Sequence, residues 1–384
     1  MSEVRVAVIG GSLVGTTAAV FLQAKGIEAH VYEATPAAVT RAGGVIGLEH
    51  PALQALEDVG IPQDEIVAVP SELVLSVTLS GGVELERETC LYPGRTTTWT
   101  RLHGALAARL APGTYHAGHR LRTVGKDQAA ARLHFADDTS AVADIVIGAD
   151  GRTSTVRQLV DSRRRLHYAG YVAHRGQRPG CPADWAQGFI RKLAPATMFN
   201  TFPLDIGIDG DVELDWTLYL NETPGLYEEH FGQRPDRLTI AFPRAITSDV
   251  RDFVDSAARR LLPERERDIV LSTRDRMAVP VLDISAPNRL VWPWGASRVV
   301  LAGDAAGPLH PSTARGANAG LEQVKDLATV LHQHAHRGAD RDAALDAYQR
   351  RQLPPIRCAL REGPILGHRM GLGVFGHAVQ DLVP

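Results

Sequence analysis

The sequence predicts an α/β fold, in which a parallel sheet built from distant parts of the chain carries an inserted antiparallel sheet and is followed by C-terminal helices. Three apolar runs that each end in a glycine-rich turn predict the parallel sheet; they lie at residues 4–9, 144–148 and 299–302. Alternating apolar and polar residues between about 165 and 290 predict the antiparallel sheet, because successive side chains of a strand point to opposite faces.

The first apolar run leads straight into Gly10-Gly11-Ser12-Leu13-Val14-Gly15. In the pattern G-x-G-x-x-G, the first glycine makes a tight turn, the second lets the backbone approach a pyrophosphate, and the third lets helix and strand pack closely. Ser12 replaces the second glycine, and its hydroxyl is available to a phosphate. The next helix offers free N–H groups to the anion. The motif predicts a Rossmann-like dinucleotide site; the alternative is a glycine-rich turn in another α/β protein.

An acidic residue closes the second apolar run at the expected distance from this motif. Glu33 follows Ala29–Tyr32, where a carboxylate accepts hydrogen bonds from ribose hydroxyls. A 2′-phosphate would be repelled there, which disfavours NADP in this site. The nucleotide-binding residues predicted from this part of the chain are Gly10, Ser12, Leu13, Val14, Gly15, Glu33 and Ala34.

Local patterns predict the other elements of the first half. Residues 1 to about 70 indicate strand, helix, strand, loop and helix, with the loop over Thr35–Gly47. Alternation on both sides of Ser80-Gly81-Gly82 predicts a hairpin. A helix is predicted over Trp99–Leu110, and a second hairpin over Leu133–Ala143.

The segment between 165 and 290 contains the predicted strands of the inserted sheet, at Leu166–His174, Thr197–Phe202, Glu213–Leu220 and Leu238–Phe242. In the third of these, Leu214, Trp216, Leu218 and Leu220 share one face, and Asp215, Thr217 and Tyr219 share the other. A helix is predicted over Asp249–Leu262, with Ser248 or Asp249 as its cap.

The last third returns to the α/β pattern. A strand ending at Ala302 is followed by predicted helices near 317–337 and 340–352, and the tail after Pro354-Pro355 is expected to be helical. Four aromatic side chains, Phe199, Phe202, Trp292 and Trp294, are interpreted as packing residues.

Composition narrows the function classes. The net charge of −3 over 384 residues gives no general case for nucleic acid or an anionic membrane as partner. The densest basic cluster, Arg163-Arg164-Arg165, is interpreted as a solvated loop. Cys90, Cys181 and Cys358 lie far apart, which fits a reducing compartment and argues against a disulfide framework or a thiolate metal site. No His, Asp and Glu set has metal-ligand spacing, and no G-x-S-x-G nucleophile motif is present.

No charged segment precedes the first apolar run, so no signal peptide is expected. No stretch approaches the length of a membrane span. These observations predict a cytoplasmic protein without a membrane partner.

Together, the three glycine-rich segments resemble motifs of the class A flavoprotein monooxygenases, which are aromatic hydroxylases of the p-hydroxybenzoate hydroxylase type. Gly10–Gly15 with Glu33 is similar to the first motif of that family. Asp144–Gly151, continuing to Arg157, resembles its D-G motif, and Gly303–Asn318 (GDAAGPLHPSTARGAN) resembles its G-D motif. Arg41 and the following Gly43–Leu48 resemble the loop that crosses the flavin ring. The resemblance spans nearly the whole chain.

This resemblance implies FAD as the cofactor and NADH or NADPH as a transient reductant. Gly303 and Asp304 would contact the ribityl or pyrophosphate region of FAD, and Asp150 would serve both FAD binding and flavin reduction. Arg41 would hold the flavin or move with it. Backbone N–H groups of Ala314, Arg315 and Gly316 would face the flavin pyrimidine edge, where a helix N-terminus stabilises the charge of reduced flavin.

The chain departs from the family pattern at two positions. Gly307 stands where most relatives have histidine, and Trp99, with Arg101 two residues on, stands where many have a cofactor-binding arginine. Thr97-Thr98-Trp99, Gly10-Gly11-Ser12 and Thr313–Gly316 resemble a subgroup that includes 2,6-dihydroxypyridine hydroxylase. Trp99 and Arg101 lie at or near the position of the family's cofactor-binding arginine, and both are included among the predicted FAD-binding residues.

The implied activity is a monooxygenase that consumes NAD(P)H and O₂ and hydroxylates an aromatic or heteroaromatic small molecule through a flavin C4a-hydroperoxide. The protein must orient the ring, exclude water and often help to deprotonate a hydroxyl group. His310, His50 and Tyr219 are the catalytic candidates. Each histidine is also compatible with a surface or packing role, and the face that carries Tyr219 either lines the pocket or is solvated.

Three other functions stay open: an FAD-dependent epoxidase or ring-modifying oxygenase on a polyketide-like substrate, a protein that uses FAD as a scaffold without redox chemistry, and a plain NAD dehydrogenase. The last of these explains neither the 144–151 motif nor the 303–318 motif. The predicted FAD-binding unit comprises residues 1–70, 95–165 and 290–350. The substrate-binding sheet comprises 71–94 and 166–289, and a helical tail covers 351–384. A monomer or homodimer is expected.

Overall fold

The computed structural model describes residues 4–36, 44–69, 72–126, 129–185, 188–205, 212–237 and 240–373, and every structural statement below concerns these ranges. In chain order the described strands are β1 Val6–Ile9, β2 Ala29–Glu33, β3 Val45–Glu49, β4 Leu73–Ser80, β5 Val83–Leu91, β6 Gly94–Thr98, β7 Tyr115–Ala117, β8 Leu121–Lys126, β9 Ala131–Phe135, β10 Ser140–Ala143, β11 Ile145–Gly148, β12 Leu166–Arg178, β13 Phe189–Ala194, β14 Thr197–Asp205, β15 Val212–Asn221, β16 Arg276–Ile284, β17 Val291–Trp294 and β18 Ser297–Leu301.

The described α-helices are α1 Leu13–Ala24, α2 His50–Glu57, α3 Gln63–Ile66, α4 Trp99–Ala107, α5 Thr155–Val160, α6 Pro224–Phe231, α7 Ser248–Leu261, α8 Glu264–Ser272, α9 Gly316–Arg337 and α10 Arg341–Arg369. No helix among the described residues is both long enough and apolar enough to cross a membrane.

The first sheet has the order β17-β18-β11-β1-β2-β7. Its strands are parallel except for β17, which is antiparallel to β18. The strands β18, β11 and β1 are neighbours, and each of them leads into one of the three glycine-rich motifs. Because the carboxyl ends of parallel strands meet at one edge of a sheet, this order brings the three motifs together. The prediction of a parallel sheet of discontinuous sequence is confirmed.

The second large sheet has the order β16-β12-β15-β14-β13-β4-β5. Its pairings are antiparallel except for β13 with β4, which run parallel. The predicted hairpins at β4–β5 and β9–β10 are present. On β15, Leu214, Trp216, Leu218 and Leu220 join the buried core under α7 and α8, as their spacing predicts. The opposite face, with Asp215, Thr217 and Tyr219, is also buried rather than solvated.

Four local predictions need correction. The strand predicted over Leu238–Phe242 is reduced, in its described part, to one isolated bridge between Ala241 and Ala278, because Pro243 has no N–H for a ladder and begins a 3₁₀ turn. The cap of α7 is Thr247, whose hydroxyl accepts from the Val250 N–H, and not Ser248 or Asp249. The predicted loop over 35–47 contains the start of β3, which pairs with β6.

The fourth correction concerns the basic cluster. Arg164 is buried with 7% of its surface exposed, and it donates to the carbonyl oxygens of Ser285 and Ala306. It therefore links the start of the inserted segment to the third glycine-rich motif, and it is not a solvated loop residue.

The last helix, α10, runs through Pro354, Pro355 and Pro364 without a break, so the helical expectation for the tail holds as far as Arg369. Residues 374–384 lie outside the described residues. The two tryptophans on β17, Trp292 and Trp294, pack against the core as predicted, with the Trp294 indole donating to the Val124 carbonyl.

Candidate active site

The three glycine-rich motifs contact one another at the carboxyl edge of the parallel sheet. A Cβ added to Gly10 would overlap the Ala149 carbonyl oxygen of the second motif. A Cβ on Gly303, in the third motif, would meet a Val14 methyl group at 2.9 Å. Arg157 ties the second motif to the third, because its Nη1 donates to the carbonyl oxygens of Asp304 and Ala305. One site, composed from three distant segments, follows from these contacts.

A substitution at Gly15 tests the tight packing of the first motif. A Cβ at this position would overlap the Gly10 carbonyl oxygen, which belongs to the turn itself and has no room to move. We expect Gly15→Ala to lower the free energy of unfolding by about 1–3 kcal/mol and to reduce FAD retention. Urea unfolding and the flavin-to-protein absorbance ratio measure both effects.

Gly104 on α4 provides the matched control, because nothing lies within 4 Å of a Cβ added there. Gly104→Ala is expected to stabilise the protein by about 0.5–1 kcal/mol through the lower entropy of the unfolded chain and to leave FAD content unchanged. Equal free energies of unfolding and equal FAD content in Gly15→Ala and Gly104→Ala would contradict the tight turn at Gly15.

The first cavity at this edge, which we term the nucleotide cavity, has a volume of about 250 Å³. It is lined by Ile9, Gly10, Ser12, Tyr32, Glu33, Ala34, His119, Arg120, Leu121, Ala149, Asp150, Gly151, Thr153 and Thr155. The buried Glu33 carboxylate accepts from the Gly11 N–H at 2.6 Å and from the Thr35 N–H at 2.7 Å. The predicted residues Gly10, Ser12, Glu33, Ala34 and Asp150 therefore share one cavity. Leu13 and Val14 open helix α1 beside it.

Trp99, one of the two departures from the family pattern, contacts Ser12 of the first motif. The Trp99 indole N–H lies 3.3 Å from Ser12 Oγ, and the Trp99 ring stacks on His103 at 4.5 Å. His103 in turn lies 2.9 Å from the Gly11 carbonyl oxygen. Since Ser12 accepts from Trp99, its own hydroxyl hydrogen stays available to a phosphate. The serine and the tryptophan thus act as one unit, which the two positions considered separately do not reveal.

Arg101 makes a different contact from the one predicted for it. Its backbone N–H is capped by Thr98, and its Nη1 donates to the Val67 carbonyl oxygen at 3.0 Å. It lies outside the lining of the nucleotide cavity and of the second cavity, which is described below. Arg41 lies outside the described residues.

Two partly buried carboxylates, Asp150 and Asp304, follow the ends of β11 and β18. Asp150 accepts from the Ser154 hydroxyl and from the Val156 N–H, and burial raises its pKa above the usual value in spite of these bonds. Burial also raises the pKa of Asp304, against the opposing charges of Arg152 and Arg157. A carboxylate whose charged form is disfavoured by burial is stabilised by hydrogen bonds that ligand hydroxyls donate to it.

The start of helix α9 is fixed to β3. Asn318 accepts from the Glu49 N–H at 2.8 Å and donates to the Gly47 and Ala314 carbonyl oxygens. Arg315 pairs with Glu49 at 2.7 Å. Ala314 has φ of +52°, a left-handed conformation that costs about 1 kcal/mol for a residue with a Cβ. These bonds fix the start of α9. Of the three predicted donors, the Ala314 N–H already donates to the Pro311 carbonyl oxygen and the Arg315 N–H to the Thr313 hydroxyl, so the N–H groups that the helix leaves for a ligand begin at Gly316.

Gly307, the other departure from the family pattern, packs against the last helix. A Cβ there would meet Leu360 Cδ1 of α10 at 2.9 Å. The missing histidine side chain is therefore replaced by a close approach of α10.

A second cavity, which we term the central cavity, has a volume of about 270 Å³ and lies between the α9 start and the seven-stranded sheet. Its lining is Val45, Ile46, Gly47, Leu73, Val74, Tyr92, Thr96, Ala173, Arg175, Phe189, Arg191, Met198, Asn200, Phe202, Thr217, Tyr219, Val279, Pro311, Ser312, Ala314, Gly316 and Ala317. Phe202 belongs to this wall and not to the core, which corrects its interpretation as a packing residue. Phe199 is buried in the core as predicted.

The structure separates the three catalytic candidates. Tyr219 lines the central cavity, and burial raises its pKa to about 12, so it is a neutral hydrogen-bonding group at pH 7. His50 lies outside that lining, with 52% of its side chain exposed, and pairs with Glu72 at 3.1 Å. His310 is buried behind the cavity wall.

His310 belongs to a chain of polar groups. Its Nε2 lies 2.6 Å from Asp283 Oδ1, and its Nδ1 lies 3.0 Å from the Tyr171 hydroxyl. Because a carboxylate only accepts, Nε2 carries the hydrogen and Nδ1 accepts from Tyr171. Ser312, which lines the central cavity, lies close enough to Tyr171 to lower its pKa, although burial raises that pKa overall. The buried Ser312 hydroxyl makes no hydrogen bond with any described residue.

The sequence analysis missed the polar residues of the cavity wall. Asn200 lies inside the predicted strand Thr197–Phe202, and Arg175 directly follows the predicted strand Leu166–His174, so a polar residue in or beside a strand was the available signal; Arg191 had none. Within the described part of the chain, no group of three or more His, Cys, Asp or Glu side chains is arranged to hold a metal ion.

The residues present fit FAD. Gly10 and Gly15 let the first turn pack closely on Ala149 and on its own backbone, the buried Glu33 carboxylate lines the nucleotide cavity, and the α9 start lines the central cavity. Asp304 lies on the third turn with a carboxylate whose pKa is raised by burial. These features supply an anion cradle, two acceptor carboxylates and a helix N-terminus.

Comparisons with known proteins agree with this site. The family model described as FAD binding domain matches residues 3–175 and 256–362. A 3-amino-4-hydroxybenzoate 2-monooxygenase of Streptomyces cremeus is 29% identical over 365 residues, covering 92% of this chain and 84% of that protein. A 2,6-dihydroxypyridine 3-monooxygenase of Paenarthrobacter nicotinovorans is 28% identical over 361 residues, covering 91% and 87%.

Among solved structures, 2,6-dihydroxypyridine-3-hydroxylase from Arthrobacter nicotinovorans superposes with a TM-score of 0.85 and 27% identity, covering 98% of this chain and 95% of that one. The family model covers well over half of the chain. The predicted fold class, family and FAD cofactor are confirmed. The chain belongs to the FAD-binding-domain family of class A aromatic monooxygenases, and it is an FAD-dependent monooxygenase.

Proposed function

We propose that this enzyme takes electrons from NADH or NADPH and inserts one atom of O₂ into an aromatic or heteroaromatic small molecule held in the central cavity. The observation that carries the proposal is the position of this cavity, which is mostly apolar and lies between the α9 start and the polar face of the inserted sheet. Small-molecule sites have this character, with a few placed polar groups on an apolar lining.

When bound, FAD supplies the electron transfer and oxygen activation that side chains cannot. Gly10, Ser12, Glu33 and Asp304 would hold its nucleotide and ribityl portions at the edge of the parallel sheet. The N–H groups that begin at Gly316 would stabilise negative charge on the reduced ring, because they lie at the N-terminus of a 22-residue helix. The apolar part of the central cavity would exclude water from the reacting atoms.

The hydrogen-bonded chain Tyr171–His310–Asp283 gives a route for a substrate hydroxyl proton, and Ser312 would connect this chain to the central cavity. The substrate hydroxyl would donate towards Ser312 and Tyr171, Tyr171 would pass its proton to His310 Nδ1, and His310 would release its Nε2 proton to Asp283. Asp283 is 18% exposed, so the route ends at solvent. His310 acts in this scheme through Tyr171 and not by direct contact with the substrate. His50, on the surface beside Glu72, has no role in it.

Anaerobic mixing of the FAD-loaded enzyme with NADH and with NADPH tests the redox part of this proposal. We expect loss of the oxidised flavin absorbance to be faster when a hydroxylated aromatic or pyridine is present. If neither nucleotide reduces the flavin with any such ligand, the monooxygenase proposal is contradicted, and FAD as a non-redox scaffold becomes the better interpretation.

A further inference from the structure

A row of polar side chains crosses the wall that the seven-stranded sheet gives to the central cavity. Strand register places Arg175 beside Thr217, Thr217 beside Asn200, and Asn200 beside Arg191. All four residues line the cavity. Because directly paired residues of neighbouring strands share a face, these side chains present their polar groups together. We term this set the polar row.

Apolar side chains flank the polar row on both sides. On one side of the polar row, two residues further along each strand, Ala173 pairs with Tyr219 and Tyr219 pairs with Met198. In the other direction Phe189 and Phe202 stack at 4.3 Å with an interplanar angle of 5°. A flat ring that fills this cavity therefore contacts apolar surface and directs its polar substituents towards the polar row.

The polar row contains buried atoms without partners. Arg175 Nε, Arg191 Nε and Asn200 Oδ1 are buried and make no hydrogen bond with any described residue. Asn200 itself is more than nine-tenths buried. Buried polar groups in native proteins are almost always satisfied, so a set that converges on a cavity indicates a polar ligand. The two guanidinium atoms require an acceptor, and Asn200 Oδ1 requires a donor.

The two arginines differ in their charge balance. Arg175 lies 3.4 Å from the buried Asp215 carboxylate, which also accepts from Gln177. Arg191 has a long contact of 3.4 Å with the Ser76 hydroxyl, and no described carboxylate lies within ion-pair distance of it. The next residue, Lys192, points away to pair with Glu266. The uncompensated positive charge on this wall is therefore that of Arg191.

We propose that the substrate is a single-ring aromatic acid whose carboxylate pairs with Arg191 and whose neighbouring N–H, amino or hydroxyl group donates to Asn200. This inference rests on the proposed function, and it names the substrate class for the same site. A cavity of about 270 Å³ fits one ring with small substituents. One uncompensated guanidinium matches the charge of one carboxylate.

Two matched ligand pairs test this assignment by calorimetric titration of the FAD-loaded enzyme. The acids are 3-amino-4-hydroxybenzoate and 6-hydroxynicotinate, and their neutral counterparts without the carboxylate are 2-aminophenol and 2-hydroxypyridine. We expect at least one acid to bind about 10- to 100-fold more tightly than its neutral counterpart, the range for one charge-assisted hydrogen-bonded pair. Arg191→Gln should abolish this preference, and Arg191→Lys should keep part of it.

Arg87 on β5 provides the matched control, because it belongs to the same sheet, lies on the exposed surface and pairs with Glu84. Arg87→Gln makes the same charge change and should keep the full preference for the acid. Retention of the preference in Arg191→Gln overturns the assignment. So does equal affinity of the native enzyme for acid and neutral counterpart, including no measurable binding of either.

The two proposals fail in different ways. Flavin reduction stimulated by the neutral ligands and not by the acids would overturn the carboxylate assignment and support the monooxygenase. A carboxylate preference that depends on Arg191, with a flavin that no nucleotide reduces, would support the assignment and contradict the monooxygenase.

Discussion

Replacing Asp304 by alanine is expected to yield a protein that is purified mostly without FAD. The Asp304 carboxylate lies on the turn after β18, where burial raises its pKa and Arg152 and Arg157 oppose that rise. A buried carboxylate that accepts from ligand hydroxyls makes charge-assisted bonds, and its removal should weaken FAD binding by roughly 10- to 100-fold. The flavin-to-protein absorbance ratio and titration of the apoprotein with FAD measure this loss.

Asp304→Asn is expected to raise the free energy of unfolding of the apoprotein. Because the folded apoprotein raises the pKa of Asp304, the charged form is disfavoured by folding, and the unfavourable contribution is present at neutral pH. The apo variant should therefore be more stable than the native apoprotein at pH 7. This advantage should shrink as the pH falls through the raised pKa towards the usual aspartate value, since the native side chain then becomes neutral as well.

Asp252→Asn, an exposed change on helix α7, is the control for the same loss of charge. It should change neither FAD affinity nor apoprotein stability at pH 7. Full yellow colour in purified Asp304→Ala would remove Asp304 from the cofactor site. An Asp304→Asn apoprotein that is less stable than the native apoprotein at pH 7 would show that burial of the charged carboxylate does not destabilise the fold.

Replacing Tyr171 by phenylalanine is expected to slow hydroxylation by about 100-fold at pH 7, with FAD content unchanged. The substitution removes the hydroxyl that lies 3.0 Å from His310 Nδ1, so the route to Asp283 is broken. Proton transfer by positioned groups contributes about 10²- to 10⁴-fold to enzymatic rates. The deficit should decrease at high pH, where a phenolic substrate ionises without help. Steady-state turnover measured across pH checks this.

Tyr168→Phe is the matched control, because the buried Tyr168 hydroxyl on the same strand has no hydrogen-bond partner among the described residues. Its removal should leave turnover unchanged. His310→Gln should slow turnover about as much as Tyr171→Phe, and the double variant should be no slower than either, because both act in one route. A Tyr171→Phe enzyme within twofold of the native rate, with the same pH profile, would rule out the route.

The parallel sheet was predictable because its signals are local and repeated. Each of β1, β11 and β18 is an apolar run that ends in glycine, and parallel pairing of such strands brings their ends to one edge. Glu33 and Asp150 were found in the same way, since Glu33 ends β2 and Asp150 comes two residues after the end of β11. Tyr219 was placed on the correct face of β15 because side chains alternate along a strand.

The parts that were not predictable depend on contacts between distant residues. The polar row joins Arg175, Asn200 and Arg191 across three different strands, and no local period marks such a set. Ser12 and Trp99 were each seen as a departure from a pattern, but their contact spans 87 residues. Arg164 resembles a solvated arginine in sequence, and only the fold places carbonyl oxygens around it.

The most direct test of the central claim is turnover under ¹⁸O₂ with NADH or NADPH and the aromatic acid that binds most tightly. We expect one ¹⁸O atom in the ring of the product, in proportion to the nucleotide oxidised, and loss of this labelling in Asp304→Ala. Unlabelled product, or nucleotide oxidation that never yields a hydroxylated ring with any aromatic acid or its neutral counterpart, would contradict the claim that this site is a monooxygenase site.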